Sequence, residues 1–370
     1  MKRLCVVLLL SLQLYSIAQQ TALDSVLSVV NRKNRFLPGP IFGYSSETSL
    51  SFGLTAYYTF FYDQKFLETR PSIAYGTSSY SLKKQFTNDI YLNAWTSENV
   101  CHFLIAWSFY QYTYYFYGIG NKTSVKDEQL LNQIRLEFSG NIERRIRKSF
   151  FYGGFEYDLK RDDYPSNDID KLLFVTPTLH PAKGTFLRVG PSLVHDNRDN
   201  AYYTTKGHYY KINPTATVPG FAEEIKIKRL FVETRNFYTF KKIHTIGFNS
   251  NLQLQQGVVP FYELSQLGNA SIMRGYYAGR YRDQNLFAAQ VEYRWHFTPL
   301  LGVVFFAGAG TVFNSGLPDL GALKPTYGLG LRYFYDPNTG INLKIDYGLG
   351  QNLQGEPMMS NFYVGVGESF

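Results

Sequence analysis

Period-two alternation of apolar and polar residues runs through most of this chain and restricts its fold more than any other feature. After Asn285, the residues Phe287, Ala289, Val291, Tyr293, Trp295 and Phe297 alternate with Ala288, Gln290, Glu292, Arg294 and His296. That is the signature of a strand with one apolar and one polar face. A face carrying Gln, Glu, Arg and His in succession needs water or hydrogen-bonding partners. Gln129 to Arg147 repeats the pattern, with Ile134, Leu136, Phe138, Ile142 and Ile146 opposite Arg135, Glu137, Ser139, Asn141, Glu143, Arg145 and Arg147. In Ile341 to Leu349 the polar face holds Asn342, Lys344, Asp346 and Gly348. By this rule about sixteen strands follow one another from Leu37 to Phe370. The third and fourth are expected at Phe66 to Gly76 and Tyr80 to Trp95.

An open sheet of that size would leave two long unpaired edges, and in lipid such edges are forbidden. Closure removes them. Aromatic residues make up 17% of the chain, with 31 Tyr and 30 Phe, while charged residues make up only 18%. Tyrosine-rich strands suit membrane interfaces, where the ring lies among acyl chains and the hydroxyl reaches headgroups. The mean hydropathy of -0.22 excludes a membrane bundle of helices but fits a barrel whose wet lumen offsets its lipid face. Connection lengths agree. Those after even-numbered strands are mostly short (Asp63 to Lys65, Ser97 to Asn99, Lys148 to Ser149, Lys241 to Lys242), whereas Ile119 to Glu128, Asp162 to Gly184, Gly257 to Gln284 and Gln351 to Ser360 are long. Asn197 to Lys206 is the exception. The expected fold is all-β: a transmembrane antiparallel β-barrel of the bacterial outer membrane, with both ends on the periplasmic side.

Residues 1–18 read as a signal peptide. Lys2 and Arg3 precede an apolar run, and Ser16-Ile17-Ala18 is a small-x-small cleavage site. Residues 19–36 form a short periplasmic segment in which Leu23, Val26, Leu27 and Val30 allow one amphipathic helix, and residues 37–370 form the barrel. Export removes Cys5 and leaves Cys101, so no internal disulfide is available. The formal charge of +8 is spread along the chain without a basic cluster, which argues against nucleic acid as a partner. The six His lack metal-ligand spacing, and Asp196 and Asp199 read as a turn tied by Asp and Arg rather than a cation site. No Gly-x-Ser-x-Gly element appears, so neither an enzyme nor a cofactor is expected. Phe362, Val364, Val366 and Phe370 fall on one face of the last strand, as a barrel sorting signal would.

Before the Asn285 strand lies a loop, Gly268 to Asp283, whose Arg274, Tyr276, Tyr277, Arg280, Tyr281 and Arg282 are too polar for lipid. Within it, Met273-Arg274-Gly275-Tyr276 resembles the Arg-Gly-aromatic motif of the BamA/TamA family, also called bacterial surface antigens. His195 to Asn200, followed by Thr205-Lys206-Gly207, resembles a second signature of that family, and the resemblance spans Leu37 to Phe370. It implies a loop folded into the lumen, with Met273, Arg274, Gly275, Tyr276, Arg280 and Asp283 as its motif and Arg274 meeting acidic and aromatic side chains on the wall. Alternation makes Glu292 the inward wall partner. Gly308 stands where the family tends to carry Asp, so Arg274 is expected to lean on Glu292 alone or on water. Only Gln19 to Phe36 precede the barrel, so the family's periplasmic POTRA domains are expected to be absent.

The function implied is assistance to outer-membrane protein or lipid insertion and translocation. The alternative is a passive pore or structural barrel. Implied partners are outer-membrane lipid, client outer-membrane proteins and a periplasmic protein supplying the missing domains. If the signal reading holds, mass spectrometry of the protein extracted from outer membranes gives Gln19 as the first residue; a chain that retains Met1 to Ala18 contradicts it.

Overall fold

The computed structural model describes residues 34–45, 49–63, 69–165, 183–200, 203–221, 225–336, 341–353, 355–366 and 368–370. The expected signal peptide and the helix near Leu23 lie outside them. The strands are β1 (Arg35–Ser45), β2 (Ser49–Phe60), β3 (Ser72–Ser81), β4 (Phe86–Trp95), β5 (Cys101–Phe116), β6 (Gln129–Arg145), β7 (Phe151–Asp163), β8 (Lys183–Asp196) and β9 (Gly207–Thr217). They continue as β10 (Lys226–Phe240), β11 (His244–Val258), β12 (Ser265–Leu267), β13 (Tyr281–Asp283), β14 (Asn285–Trp295), β15 (Leu301–Phe313), β16 (Lys324–Asp336), β17 (Ile341–Gly350) and β18 (Met359–Val366). Sixteen of them form one antiparallel sheet in chain order, and β12 pairs only with β13. The expected count and the place of the polar loop, after the eleventh strand, both hold.

Alternation sets which face each side chain takes. On β6, Leu136 and Phe138 are exposed while Gln133, Asn141 and Glu143 are buried. That is the reverse of a soluble sheet and is what lipid outside and a polar lumen inside require. Aromatic rows cross the strands, as where Tyr75 on β3 stacks between Tyr57 and Tyr91 at 5.3 and 4.9 Å. Contacts between strands distant in the sheet show that it curls into a barrel. Arg70, after β2, donates to Asp196 at the end of β8 over 2.7 Å. Asn121, after β5, reaches Thr311 on β15 over 3.3 Å. No helix among the described residues is long and apolar enough to cross a membrane.

Three expectations need correction. The β3–β4 turn lies at 82–85 and not near Gly76 to Tyr80, because Ser78, Ser79 and Tyr80 pair across the sheet with Asn88, Thr87 and Phe86. Their turn-like composition serves cross-strand bonds, such as Ser79 to Thr87 at 2.7 Å. The connection after β2 is longer than Asp63 to Lys65: β2 stops at Phe60 and β3 starts at Ser72. Thr69 and Arg70 lie along the rim, where they bond the backbone of Glu98 and the side chain of Asn99. Finally, Phe370 does not share an outward face with Phe362. Phe362 is 73% exposed, whereas Phe370 is 6% exposed with its ring 5.9 Å from that of Phe237. β18 ends at Val366, and the last residues turn inward to polar partners in the lumen. The side chains of Val364 and Val366 lie outside the described residues.

One ladder is interrupted. β8 and β9 pair from Arg188↔Thr217 to Val189↔Ala216, and again from Leu193↔Ile212 onward in the same register. That register sets Pro191 opposite Pro214, and proline has no N–H to donate. Asn213 covers part of the gap by donating its side-chain amide to the Pro191 carbonyl at 2.9 Å.

Candidate lumen latch

The segment between β11 and β14 leaves the wall, crosses the lumen and returns. It starts with a 3-10 turn at Phe261–Glu263, rises through the β12–β13 hairpin and ends in a tip around Met273 to Gly279. Leu267, Ile272, Met273, Tyr276 and Tyr281 pack with Leu286, Ala288 and Val312 of the wall in one buried apolar cluster. The tip needs left-handed backbone at Met273 (φ 59°) and Gly275 (φ 112°). Gly275 also lies against the β17 backbone, so a Cβ there would come within 2.5 Å of the Leu349 carbonyl carbon. Glycine is required on both counts. Its amide donates to the Tyr363 hydroxyl at 3.0 Å, and its carbonyl accepts from the Asn361 side-chain amide at 3.0 Å. Tyr276 lies beside Gly350, donates to the Pro325 carbonyl at 2.6 Å and accepts from the Gln351 amide at 2.9 Å.

Arg274 is fully buried. One terminal nitrogen donates to Glu292 on β14, and the other to Asp346 on β17 at 2.5 Å and to Ser369 at 2.8 Å. Its guanidinium lies 3.6 Å from the centre of the Phe306 ring, and its carbonyl accepts from Thr326. The expected pairing with Glu292 is present, but Glu292 does not act alone. Asp346 supplies the second carboxylate that Gly308 lacks, from two strands further along the wall. Gly330 makes this possible, because a Cβ there would overlap the Asp346 carboxylate.

The cluster extends to a charge-matched set. Glu292 also accepts from Arg294, Asp346 also accepts from Arg332 at 2.5 Å, and Arg332 reaches Glu368 at 2.8 Å. These three guanidinium groups and three carboxylates are almost fully buried. Lys344 joins its edge through Ser369 at 3.0 Å. Arg294 continues to the carbonyls of Thr204 and Phe370 at 3.2 and 3.0 Å. The Asn197-to-Lys206 turn and the C-terminal residues are thereby tied to the same cluster. At that turn Asp196 accepts from Arg198 at 2.9 Å as well as from Arg70, and Asp199 accepts from the Thr205 amide at 3.0 Å.

The near end of the loop has its own anchor, which sequence reasoning missed. Glu263 meets Arg135 on β6 at 3.3 Å, Lys160 on β7 at 3.3 Å and Arg188 on β8 at 3.4 Å. Burial alone would raise its carboxyl, but Lys160, Arg135, Arg188 and Arg229 outweigh burial and hold it down to about 2. The signal was present: Glu263 is the one carboxylate between Gly257 and Asp283, and basic residues recur on the inward face of successive strands. Arg280, an expected motif residue, fastens the outer side by donating to the Thr123 carbonyl at 2.8 Å and to Glu356 at 3.3 Å. Asp283 sits in β13, where burial pushes its carboxyl up and its side chain accepts from the Gln284 amide at 2.8 Å. It belongs to the hairpin and not to the Arg274 contact.

A sequence model described as the Omp85 superfamily domain matches residues 38–370. No curated protein matches the chain. Among solved structures, the chain is similar to BamA from Haemophilus ducreyi lacking POTRA domains 1-3, at 12% identity and a TM-score of 0.60, covering 90% of this chain and 70% of that one. It is also similar to CdiB from Acinetobacter baumannii, at 12% identity and a TM-score of 0.55, covering 90% of this chain and 59% of that one. At such identity the likeness is one of fold.

Arg274→Ala strands Glu292 and Asp346 without their shared partner, a change that costs about 3–5 kcal/mol for buried pairs. The variant is expected to lose its compact unheated band on a gel at a lower temperature than the parent; an unchanged transition contradicts the latch. Acid acts on the near anchor. A carboxyl depressed in the fold stabilises it above its unfolded value, and that contribution is lost as pH falls from about 4.5 through about 2. The thermal midpoint is expected to drop between about pH 5 and pH 3 by more in the parent than in Glu263→Gln, and equal drops contradict this assignment.

Proposed function

The chain belongs to the Omp85 superfamily, and from that premise we propose that it assists the insertion or translocation of proteins or lipid at the outer membrane. The observation that carries this reading is the route of the loop. Fastened by Glu263 to β6–β8 and by Arg274 to β14 and β17, it spans the lumen from wall to wall. A passive pore needs the opposite, an unobstructed aqueous path. The end of the chain adds support: Glu368, Ser369 and Phe370 bond Arg332, Arg274 and Arg294 inside the lumen. Among the described residues, those drawn inward make no ladder bonds beyond β18, which favours a seam between β18 and β1 over the lumen as the place of passage. Client strands would add there by main-chain pairing. A periplasmic partner would deliver clients to that seam.

The experiment is depletion of the protein followed by quantitative proteomics of the outer membrane. Under this reading other barrel proteins fall in abundance, and paired cysteines that lock β1 to β18 reproduce the loss until reduced. Normal abundance of all other barrels rejects it, and a large steady ohmic conductance in planar bilayers would establish the passive pore instead.

A further inference from the structure

The interrupted β8–β9 ladder has an outward side that the proposed function does not use. Register places four residues in one row across four strands: Pro191, Pro214, Leu230 and Leu254. The row above it reads Val189, Ala216, Lys228 and Gln256. Small Ala216 between Val189 and Lys228, over the proline pair, leaves a shallow groove of about 480 Å³. Its floor is tight backbone, since a Cβ on Gly190 would overlap the Pro214 carbonyl. The groove is apolar below and cationic above. Lys228 and Lys226 both point outward on β10 and are exposed, and among the described residues neither has an acidic partner.

Height in the membrane decides what such a groove meets. Tyr238, exposed near the other end of β10, suits the opposite interface, where a ring lies among acyl chains and its hydroxyl reaches headgroups. About ten residues separate it from Lys228, and at about 3.3 Å each on a strand tilted by about 40° they span about 25 Å, the height of a barrel's apolar band. Lys228 therefore lies at headgroup level at the long-loop end, with the groove at acyl level beneath it. An apolar channel under an exposed cation is complementary to an amphiphile with an anionic head. We infer that this face is a specific binding site for an anionic phospholipid, with one acyl chain seated against Pro191, Pro214, Leu230 and Leu254 and the phosphate held by Lys228 and Lys226.

The test uses the full chain in detergent with native mass spectrometry, titrated with dioleoylphosphatidylglycerol or dioleoylphosphatidylcholine. The parent is expected to retain phosphatidylglycerol in preference to phosphatidylcholine. Lys226→Gln/Lys228→Gln should weaken phosphatidylglycerol retention by about thirty-fold, the effect of two lysines at a membrane surface. Ala216→Trp, which fills the groove and keeps the charges, should also weaken it while leaving the heat-dependent gel shift unchanged. Equal retention of the two lipids by the parent overturns the site, as does undiminished phosphatidylglycerol retention by either variant.

Discussion

A guanidinium sealed away from water must be matched by carboxylates placed within hydrogen-bond reach, and most of this lumen is arranged around that requirement at Arg274. Desolvating the ion is costly, and the cost is recovered only through complete pairing. Here pairing spreads outward: Arg274 shares Glu292 with Arg294 and Asp346 with Arg332, and Arg332 continues to Glu368. Each carboxylate serves two cations. Removing one member therefore unbalances several strands at once, and a loop, the turn after β8 and the end of the chain all depend on the same set of charges.

Close packing sets where those charges can sit. Gly348 admits the backbone of the Arg274–Gly275 peptide, Gly350 admits the Tyr276 ring, Gly330 admits Asp346 and Gly328 admits Phe306. Side chains at these four inward positions on β16 and β17 would hold the tip away from the wall. The carboxylate expected at Gly308 is thus relocated to Asp346 on a wall cleared by glycine.

Most of the architecture was legible because alternation is a local property. The polar face of β14, the strand count and the place of the loop follow from spacing alone, and Glu292 could be named because its strand directly follows the loop. Asp346 could be assigned an inward face but no partner, since only closure brings β17 over residue 274. Glu263 was hidden for the same reason, as its three cations come from three strands and lie 128, 103 and 75 residues earlier. Phe370 misled because the face rule assumes that a strand continues, and β18 stops at Val366. The missing Asp at 308 pointed to a weaker Arg274 contact, whereas Arg274 has two carboxylates.

The inward turn of Glu368, Ser369 and Phe370 also bears on the order of assembly. Arg274 must wait for Asp346 and Ser369, which lie 72 and 95 residues further along the chain. Long-range closures of this kind carry an entropic cost before they bring any contact, so they form late. The first eleven strands must hold together while the loop is tethered by Glu263 and by the Arg280 contact with Thr123 but not yet by Arg274. Fastening of Arg274 then reports that the final strands have arrived, which makes the latch a test of a finished barrel.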